Sequence, residues 1–213
     1  RSGTNLLPMI DPARHAVLGS WESRGGRLVS DRCPNARVEI PFQLPQEYDF
    51  RMVFERRTGA GAVTVVLSRS GHQFLLELGG ETNTRHAFET DPKGGAPVHP
   101  VSSRDAVALR NDRPYTLLVE VRQSGIAASL DGKRLLQWKP DFKDLGLAPA
   151  WRLGSNPLRL GVGSDRSQTA FLRMELLDLS GTGRRVEAQG PPELRALASV
   201  PKDLKPGLLG EYY

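Results

Sequence analysis

The chain has 213 residues, of which 38% are hydrophobic and 25% charged, and it carries a net charge of +5 at pH 7. This composition is typical of a folded domain and excludes a disordered chain. No apolar run approaches the roughly 18 residues that a membrane-spanning helix needs, and the length fits one large all-β domain with a short attachment.

Arginine dominates the basic residues, since 23 of the 29 are of this type. Arginine suits two-pronged contacts with carboxylate, sulfate or phosphate groups. The arginines are spread along the whole chain, however, and form no run typical of a nucleic-acid-binding arm. We therefore predict a solvated, mildly basic surface and no nucleic-acid partner, with an anionic ligand as the alternative. The single cysteine, Cys33, excludes an internal disulfide and a cysteine-based zinc cluster.

Alternation of apolar and polar residues, typical of β-strands, begins near the N-terminus. SWES and RLVSD, joined by Gly25 and Gly26, predict a first hairpin, and ARVEIP predicts the next strand. AVTVVLS and HQFLLEL predict two more strands at residues 62–78. Between ARVEIP and AVTVVLS lies the clearest case, EYDFRMVFE, a half-buried strand whose inward side chains are Tyr48, Phe50, Met52 and Phe54.

Residues 115–138 predict three consecutive antiparallel strands. YTLLVEV repeats the period-two pattern and leads through Ser124 and Gly125 into IAASL. Asp131 and Gly132 then turn the chain into KRLLQW, because Asp-Gly between extended runs is a strong hairpin signal. LRLGVG and AFLRMELLDLSG predict the last strands. Helical patterns reach only a turn or two, at DPARHAV, DFKDLG and ELRALAS, and about ten strands without longer helices predict an antiparallel β-sandwich.

Two polar stretches interrupt this pattern. Residues 80–106 are rich in Gly, Pro and His and predict a long loop, in which RHAFE could form a short strand. Loops of this length are more often functional than accidental. Residues 184–206 contain prolines and mixed charges and predict a linker. We therefore assign 1–183 to the sandwich and 207–213, GLLGEYY, to the first strand of a following module.

The order of the predicted strands resembles that of concanavalin A-like (laminin-G-like) jelly-roll domains over about residues 5–182. The stretches that carry the resemblance are SWESRGGRLVSD, EYDFRMVFERR, NDRPYTLLVEVRQSGIAASLDGKRLLQW, LRLGVGS and FLRMELLDLSG. They are most similar to bacterial domains grouped with the 3-keto-glycoside hydrolases, in which a Trp-containing hairpin precedes Tyr-Asp-Phe and an Asp-Gly-Lys turn. GLLGEYY resembles the opening strand of protective-antigen-type β-barrel domains, which are common sugar-binding modules.

Catalytic elements of these groups are missing from the sequence. Members of the 3-keto-glycoside hydrolase group usually carry Asn-Ser-Gly in the strand after Tyr-Asp-Phe, and TGAGAVTVVLSRSGHQF lacks it. Sandwich glucanases need Glu-x-Asp-x-x-Glu, and neither Glu77 with Glu81 nor Glu175 with Asp178 matches that spacing. We expect Glu77, opposite in strand parity to Leu76 and Leu78, to face solvent.

Metal and cofactor motifs are equally lacking. The four histidines show no paired spacing. We interpret His86 and His99 as ordinary loop residues, with a metal site of His86, His99 and Asp91 as the alternative. GVGSDRS lacks the third glycine and the Lys-Ser or Lys-Thr of a phosphate-binding loop, so its glycines are predicted to permit close packing. We expect no cofactor and no metal.

The resemblance implies a non-catalytic, carbohydrate-binding module of a larger multidomain bacterial protein, with a neighbouring domain C-terminal to it. Sugar binding needs exposed rings and hydrogen-bonding side chains, and the candidate ligand-binding residues are Asn83, Arg85, His86, Trp138 and Trp151. Arginine contacts favour an acidic sugar. For each tryptophan the alternative is a core position, to which we assign Trp21.

Two other functions are kept as alternatives. A protein-interaction or structural module would expose an apolar patch of several hundred Å² on a sheet face. An enzyme acting on glycosides would bring carboxylates or histidines from distant segments together in a cleft. The sequence leaves the compartment open, and we favour the cell surface, the periplasm or secretion.

Overall fold

A computed structural model describes residues 3–104, 108–154 and 156–187. The helical segments of these residues are short: single turns at Pro12–His15 and Gly80–Asn83, and 3₁₀ turns at Leu7–Met9, Phe142–Asp144 and Pro149–Trp151. The turns expected in DPARHAV and DFKDLG are thus confirmed, and ELRALAS lies outside the described residues. The strands are β1 (Thr4–Asn5), β2 (Ala16–Leu18), β3 (Trp21–Arg24), β4 (Arg27–Ser30), β5 (Ala36–Gln43), β6 (Tyr48–Thr58), β7 (Val63–Arg69), β8 (His72–Gly79), β9 (Arg85–Thr90), β10 (Val98–Ser103), β11 (Pro114–Arg122), β12 (Gly125–Leu130), β13 (Lys133–Trp138), β14 (Arg159–Ser164), β15 (Gln168–Asp178) and β16 (Arg184–Arg185).

The described strands form two antiparallel sheets. The first has the order β13-β12-β11-β6-β15-β4-β3, and β1 also pairs with β15. The second has the order β10-β9-β8-β7-β14-β5-β16, and β2 also pairs with β5. The inward faces of the two sheets enclose one large apolar core. The predicted antiparallel β-sandwich is confirmed.

Period-two patterning directs the side chains as the sequence predicts. Tyr48, Phe50, Met52 and Phe54 of β6 are fully buried. The alternate residues of β11, from Tyr115 to Val121, oppose them from the neighbouring strand in antiparallel register. Each of these aromatic or long aliphatic side chains stabilises the fold by about 1.5–3 kcal/mol through removal of apolar surface from water.

Tight turns fix the two predicted hairpins. Gly25 and Gly26 join β3 to β4 with φ of 58° and 71°. Asp131 and Gly132 join β12 to β13 with φ of 48° and 78°. Positive φ at both central positions matches the twist of the flanking strands, so the turn residues set the register of each hairpin.

Residues 80–106 differ from the predicted long loop. The turn Gly80–Asn83 is followed by β9 and β10, which complete one side of the second sheet. β9 pairs with β8 through Leu75–Glu89 and Leu78–His86. The sequence signal was weak because β10 is an edge strand of mostly polar residues, and polar side chains on an edge are solvated at little cost.

The C-terminal side of the sandwich reaches past residue 183. Arg184 and Arg185 of β16 pair with Gln43 and Phe42 of β5, although the sequence assigns them to the start of the linker. The rest of that linker from 188 onward and GLLGEYY lie outside the described residues, so the domain division stays a prediction. In the described part of the chain, no helix has the length and hydropathy to cross a lipid bilayer.

Candidate functional site

The outer face of the second sheet, which points away from the core, is divided into an apolar half and a polar half. In the apolar half, Val66 of β7 and Leu75 of β8 pack under Ala148, Trp151 and Leu153. These three residues belong to the segment between β13 and β14, which folds back over the sheet. The same segment also contacts β9, because the carbonyl oxygens of Asp144 and Gly146 accept from the hydroxyl of Thr90.

Two glycines of β14 allow the segment to lie close to the sheet. A side chain at Gly161 would meet Leu153, and one at Gly163 would meet the ring of Trp151. The sequence predicted that these glycines permit close packing. In the structure, the close approach is that of the Trp151 segment to the sheet.

The polar half holds a group of charged side chains, which we call the β8–β10 cluster: Glu77, Glu81, Arg85, Glu89 and His99. Glu77 lies on β8, Arg85 and Glu89 on β9 and His99 on β10. Glu77 pairs with Ala87 and Leu75 with Glu89. Because residues two apart on a strand share a face, this register brings both carboxyl groups to the same side of the sheet.

Arg85 lies at the centre of the cluster. Its Nη2 is 3.2 Å from Oε1 of Glu77 and 3.0 Å from Nε2 of His99. Its Nη1 donates to Glu81, which also receives Nη2 of Arg104 at 2.6 Å. Nε2 of His99 is in turn 3.3 Å from Oε2 of Glu89 and 4.0 Å from Oε2 of Glu77.

The exposed fraction of the side chains increases from the base of the cluster to its rim. The side chains of Glu77, Arg85 and Glu89 are 11%, 12% and 8% exposed, whereas those of Glu81 and Arg104 are 42% and 59% exposed. A ligand that reaches the rim therefore meets paired donors and acceptors first. The buried pair of carboxyl groups lies beneath them.

Burial changes the proton affinities at the base of the cluster. Desolvation raises the pKa of Glu77, although Arg85 opposes the shift. Desolvation, with the charge of Glu77 added, raises the pKa of Glu89 to about 7. Desolvation and the charge of Arg85 lower the pKa of His99, so the imidazole is held neutral.

A left-handed turn places Glu81 at the rim. Glu81, Thr82 and Asn83 have φ of 48°, 58° and 69°, a conformation that non-glycine residues adopt rarely. The side chain of Asn83 stabilises the turn, since it donates to the carbonyl oxygen of Leu109 at 2.7 Å and accepts from its N–H at 3.0 Å. Gly80 leaves room for the carboxyl group of Glu77, which a side chain there would overlap.

The structure places the predicted site residues in different parts of the fold. Arg85 lies in the cluster and Asn83 in the turn beside it. His86 is 2% exposed on the opposite, core-facing side of β9, so it does not meet His99, and both histidines are strand residues rather than loop residues. The grouping of His86, His99 and Asp91 around a metal is therefore not formed.

Both candidate tryptophans are 7% exposed, which leaves neither ring a free face for a sugar. Trp138 stacks on Phe88 at 5.7 Å and meets Phe74 edge-on at 6.0 Å, within the main core. Trp151 lies in the apolar half of the outer face, covered by its own segment. Trp21, assigned to the core from sequence, is also 7% exposed.

The sequence did not indicate that Glu77, Glu89 and His99 come together; it pointed to His99 only within the alternative group with His86 and Asp91. Glu77 was expected in solvent, but Arg85, Gly80 and His99 cover it. The signal that could have found the pair was the two strands themselves. If HQFLLEL and RHAFE are joined as a hairpin across the GGETNT turn, Glu77 and Glu89 fall on one face of it.

No protein-family model matches this sequence, and no curated protein matches it either. Solved structures do resemble the fold. The carbohydrate-binding module CBM66 from Bacillus subtilis is 11% identical over 76% of this chain and 92% of its own, with a TM-score of 0.59. A Bacillus subtilis protein with a galectin-like fold is 11% identical over 83% and 96%, with a TM-score of 0.58. The exoplasmic/lumenal domain of VIP36, in a form bound to Ca²⁺ and Man3GlcNAc, is 10% identical over 88% and 92%, with a TM-score of 0.56.

Proposed function

We propose that this chain is a carbohydrate-binding β-sandwich that holds its sugar on the polar half of the second sheet's outer face. The fold supports the proposal, because CBM66 is a carbohydrate-binding module and VIP36 was solved with an oligosaccharide. Fold alone does not establish function. The β8–β10 cluster supplies the chemical argument.

The observation that carries the proposal is the alternation of donors and acceptors at the rim. At the rim, Arg104 presents guanidinium N–H groups and Glu81 presents carboxylate oxygens, and Arg85, which is 12% exposed, donates to Glu81 from the base of the cluster. Each sugar hydroxyl group both donates and accepts, so an adjacent donor and acceptor can satisfy it together.

Charge in the cluster favours a neutral sugar. The many arginines of the sequence left an anionic ligand as an alternative. In the structure, however, Arg85 and Arg104 are already paired with Glu77 and Glu81, and Glu89 lies beside them. An anionic sugar would have to compete with these carboxylates, whereas a neutral one can hydrogen-bond to both partners of each pair.

A glycan panel at low and high salt tests this proposal. We expect binding to neutral glycans that changes little with salt, since screening weakens contacts between charges most. Arg85→Ala should reduce binding at least about tenfold, as expected for the loss of a charge-assisted hydrogen bond. Arg134→Ala, which removes a similarly paired arginine on the other sheet, should leave binding unchanged. Wild-type protein that is folded but binds no glycan would refute the proposal.

A second candidate is hydrolysis of glycosides, because Glu77, Glu89 and His99 come from three strands and converge. Convergence of distant carboxyl groups is the feature that such an enzyme requires. Release of nitrophenol from chromogenic glycosides, lost in Glu89→Gln, would support it. If wild type and Glu89→Gln released nitrophenol at the same rate, the hydrolysis would come from a contaminating enzyme.

The protein-interaction module, the first alternative from the sequence, would expose an apolar patch, and the described ranges show none. Leu18 and Val98 are the large hydrophobic side chains exposed there, and they lie on different strands. We also propose that the chain is one module of a larger bacterial protein, followed by a sugar-binding neighbour. The support for this is the resemblance of GLLGEYY to the opening of protective-antigen-type domains.

A further inference from the structure

Three hydrogen-bond acceptors converge at the base of the β8–β10 cluster. One oxygen each of Glu77 and Glu89 and Nε2 of His99 all lie within 4.8 Å of one another. Nε2 is 3.3 Å from Glu89 and 4.0 Å from Glu77. Carboxylate oxygens and an imidazole lone pair repel one another unless something positive lies between them.

Hydrogen-bond donors of the protein satisfy only some of these three acceptors. Nη2 of Arg85 is 3.0 Å from Nε2 of His99, and because a guanidinium can only donate, Nε2 is the acceptor. Nε2 therefore carries no proton to offer Glu89. The side chain of Glu89 is 8% exposed, and no donor among residues 3–104, 108–154 and 156–187 hydrogen-bonds to it. A buried carboxyl group that no protein donor satisfies is stabilised either by a proton, as the raised pKa of Glu89 allows, or by a bound cation.

We propose that Glu77, Glu89 and His99 bind a first-row divalent cation of the Zn²⁺ or Mn²⁺ type. One imidazole nitrogen with two carboxylate oxygens is a ligand set for these ions, whereas Ca²⁺ and Mg²⁺ prefer oxygen ligands throughout. Tetrahedral bonds of about 2.1 Å place neighbouring ligand atoms about 3.4 Å apart. The two separations from Nε2 of His99, 3.3 Å and 4.0 Å, lie within about 0.6 Å of that value.

Arg85 is the competitor of the cation for this site. Its Nη2 holds both Glu77 and His99, and it must leave Nε2 for the metal to bind. Glu81 already accepts from Nη1 of Arg85 at the rim, so the guanidinium has a partner on the outer side. Three protein ligands leave coordination positions open, which a sugar hydroxyl could fill, and this last step alone rests on the proposed function.

Calorimetric titration of chelator-stripped protein with Zn²⁺, Mn²⁺, Ca²⁺ and Mg²⁺ tests the cation site directly. We expect one equivalent of Zn²⁺ or Mn²⁺ to bind, and Ca²⁺ and Mg²⁺ to bind at least about a hundredfold more weakly. His99→Ala and Glu89→Gln should each weaken binding at least about tenfold. His72→Ala, which removes an exposed histidine at the other end of β8, is the matched control and should bind as the wild type does.

Arg85→Gln separates this inference from the proposed function. Removal of the competing guanidinium should increase affinity for the cation, while sugar binding falls. Far-UV circular dichroism and thermal melts confirm that each variant is folded. Absence of stoichiometric Zn²⁺ or Mn²⁺ binding to folded wild type and folded Arg85→Gln would overturn the inference. So would undiminished binding in His99→Ala, which would place the metal elsewhere.

Discussion

Arg56 is completely enclosed by the fold and shows where many of the arginines act. Its Nε donates to Oδ1 of Asn111 at 2.7 Å, and its two Nη atoms donate to the carbonyl oxygens of Gly61 and Leu109. Arg69 similarly donates to carbonyl oxygens of the β11–β12 turn and of Pro140. Arginine can satisfy several buried carbonyl groups at once because its donors form a planar fork. Some of the arginines therefore form hydrogen bonds inside the fold, and the arginine-rich composition does not describe the surface alone.

Stability should decrease when the pH falls below the ordinary pKa of His15. Burial lowers the pKa of His15 from 6.5, with Arg14, Arg185 and Arg159 adding to the shift and Asp11 opposing it. The unfolded chain thus takes up a proton before the folded one does, and the free energy of unfolding falls with pH from about 6.5 down to the lowered value. In the fold, Nδ1 accepts the N–H of Asp11 at 2.8 Å, which protonation would prevent.

Urea unfolding of wild type and His15→Gln between pH 8 and 5 measures this effect. The difference in the free energy of unfolding between the two proteins should shrink as the pH falls, since only the wild type has the titrating imidazole at this position. A difference that stays constant over the whole range would show that His15 does not titrate differently in the two states.

At the scale of the elements, β14 and the Trp151 segment depend on each other. A side chain at Gly163 would lie 2.5 Å from Oγ1 of Thr64 and 2.8 Å from the Trp151 ring. Gly163→Ala should therefore destabilise the protein by about 1–3 kcal/mol, as overpacking usually does. Urea unfolding gives the energy, and a red shift of tryptophan emission reports displacement of the ring.

Gly95→Ala is the matched control for that substitution, because a side chain at Gly95 meets nothing within 4 Å. Its free energy of unfolding should change by less than about 0.5 kcal/mol. If the two substitutions had equal effects, the close approach at Gly163 would not be what holds the Trp151 segment.

The sequence predicted those elements whose pattern is local. Alternation in β6 and β11 and the Asp131-Gly132 turn specify strands and register within a few residues. β9 was recognised only as the short strand that RHAFE could form, and β10 was missed, because their stability comes from pairing at a sheet edge rather than from an apolar run. The cluster was missed for the same reason. Glu77 and His99 are 22 positions apart, and only the pairing of β8, β9 and β10 brings them together.

Burial of Trp138 and Trp151 was likewise not determined by periodicity. Trp138 has the strand parity of Arg134, a mostly exposed side chain. The register of β12 and β13 shifts between Ala128 and Ser129, and this irregularity turns the end of β13 toward the core. Irregularities of this kind carry no signal in a simple apolar–polar pattern.

At the scale of the whole molecule, the sandwich should need residues 184–187. β16 pairs with β5, the N–H of Val186 donates to Pro41 at 3.0 Å, and Nη2 of Arg159 donates to the carbonyl oxygen of Glu187 at 3.0 Å. A chain that ends at Gly183 should be less stable than one that ends at Glu187 by about 1–3 kcal/mol, since each lost hydrogen bond contributes about 0.5–1.5 kcal/mol. If the two chains unfolded at the same urea concentration, the C-terminal boundary of the sandwich would be residue 183, as the sequence predicts.

The central claim is that a sugar binds over β8, β9 and β10. Hydrogen–deuterium exchange of the whole chain, with and without the best glycan from the panel, measures this most directly. Bound sugar should slow exchange in peptides from residues 72–104 and leave residues 114–138 of the other sheet unchanged. Protection confined to residues 114–138, or equal in both regions, would contradict this claim.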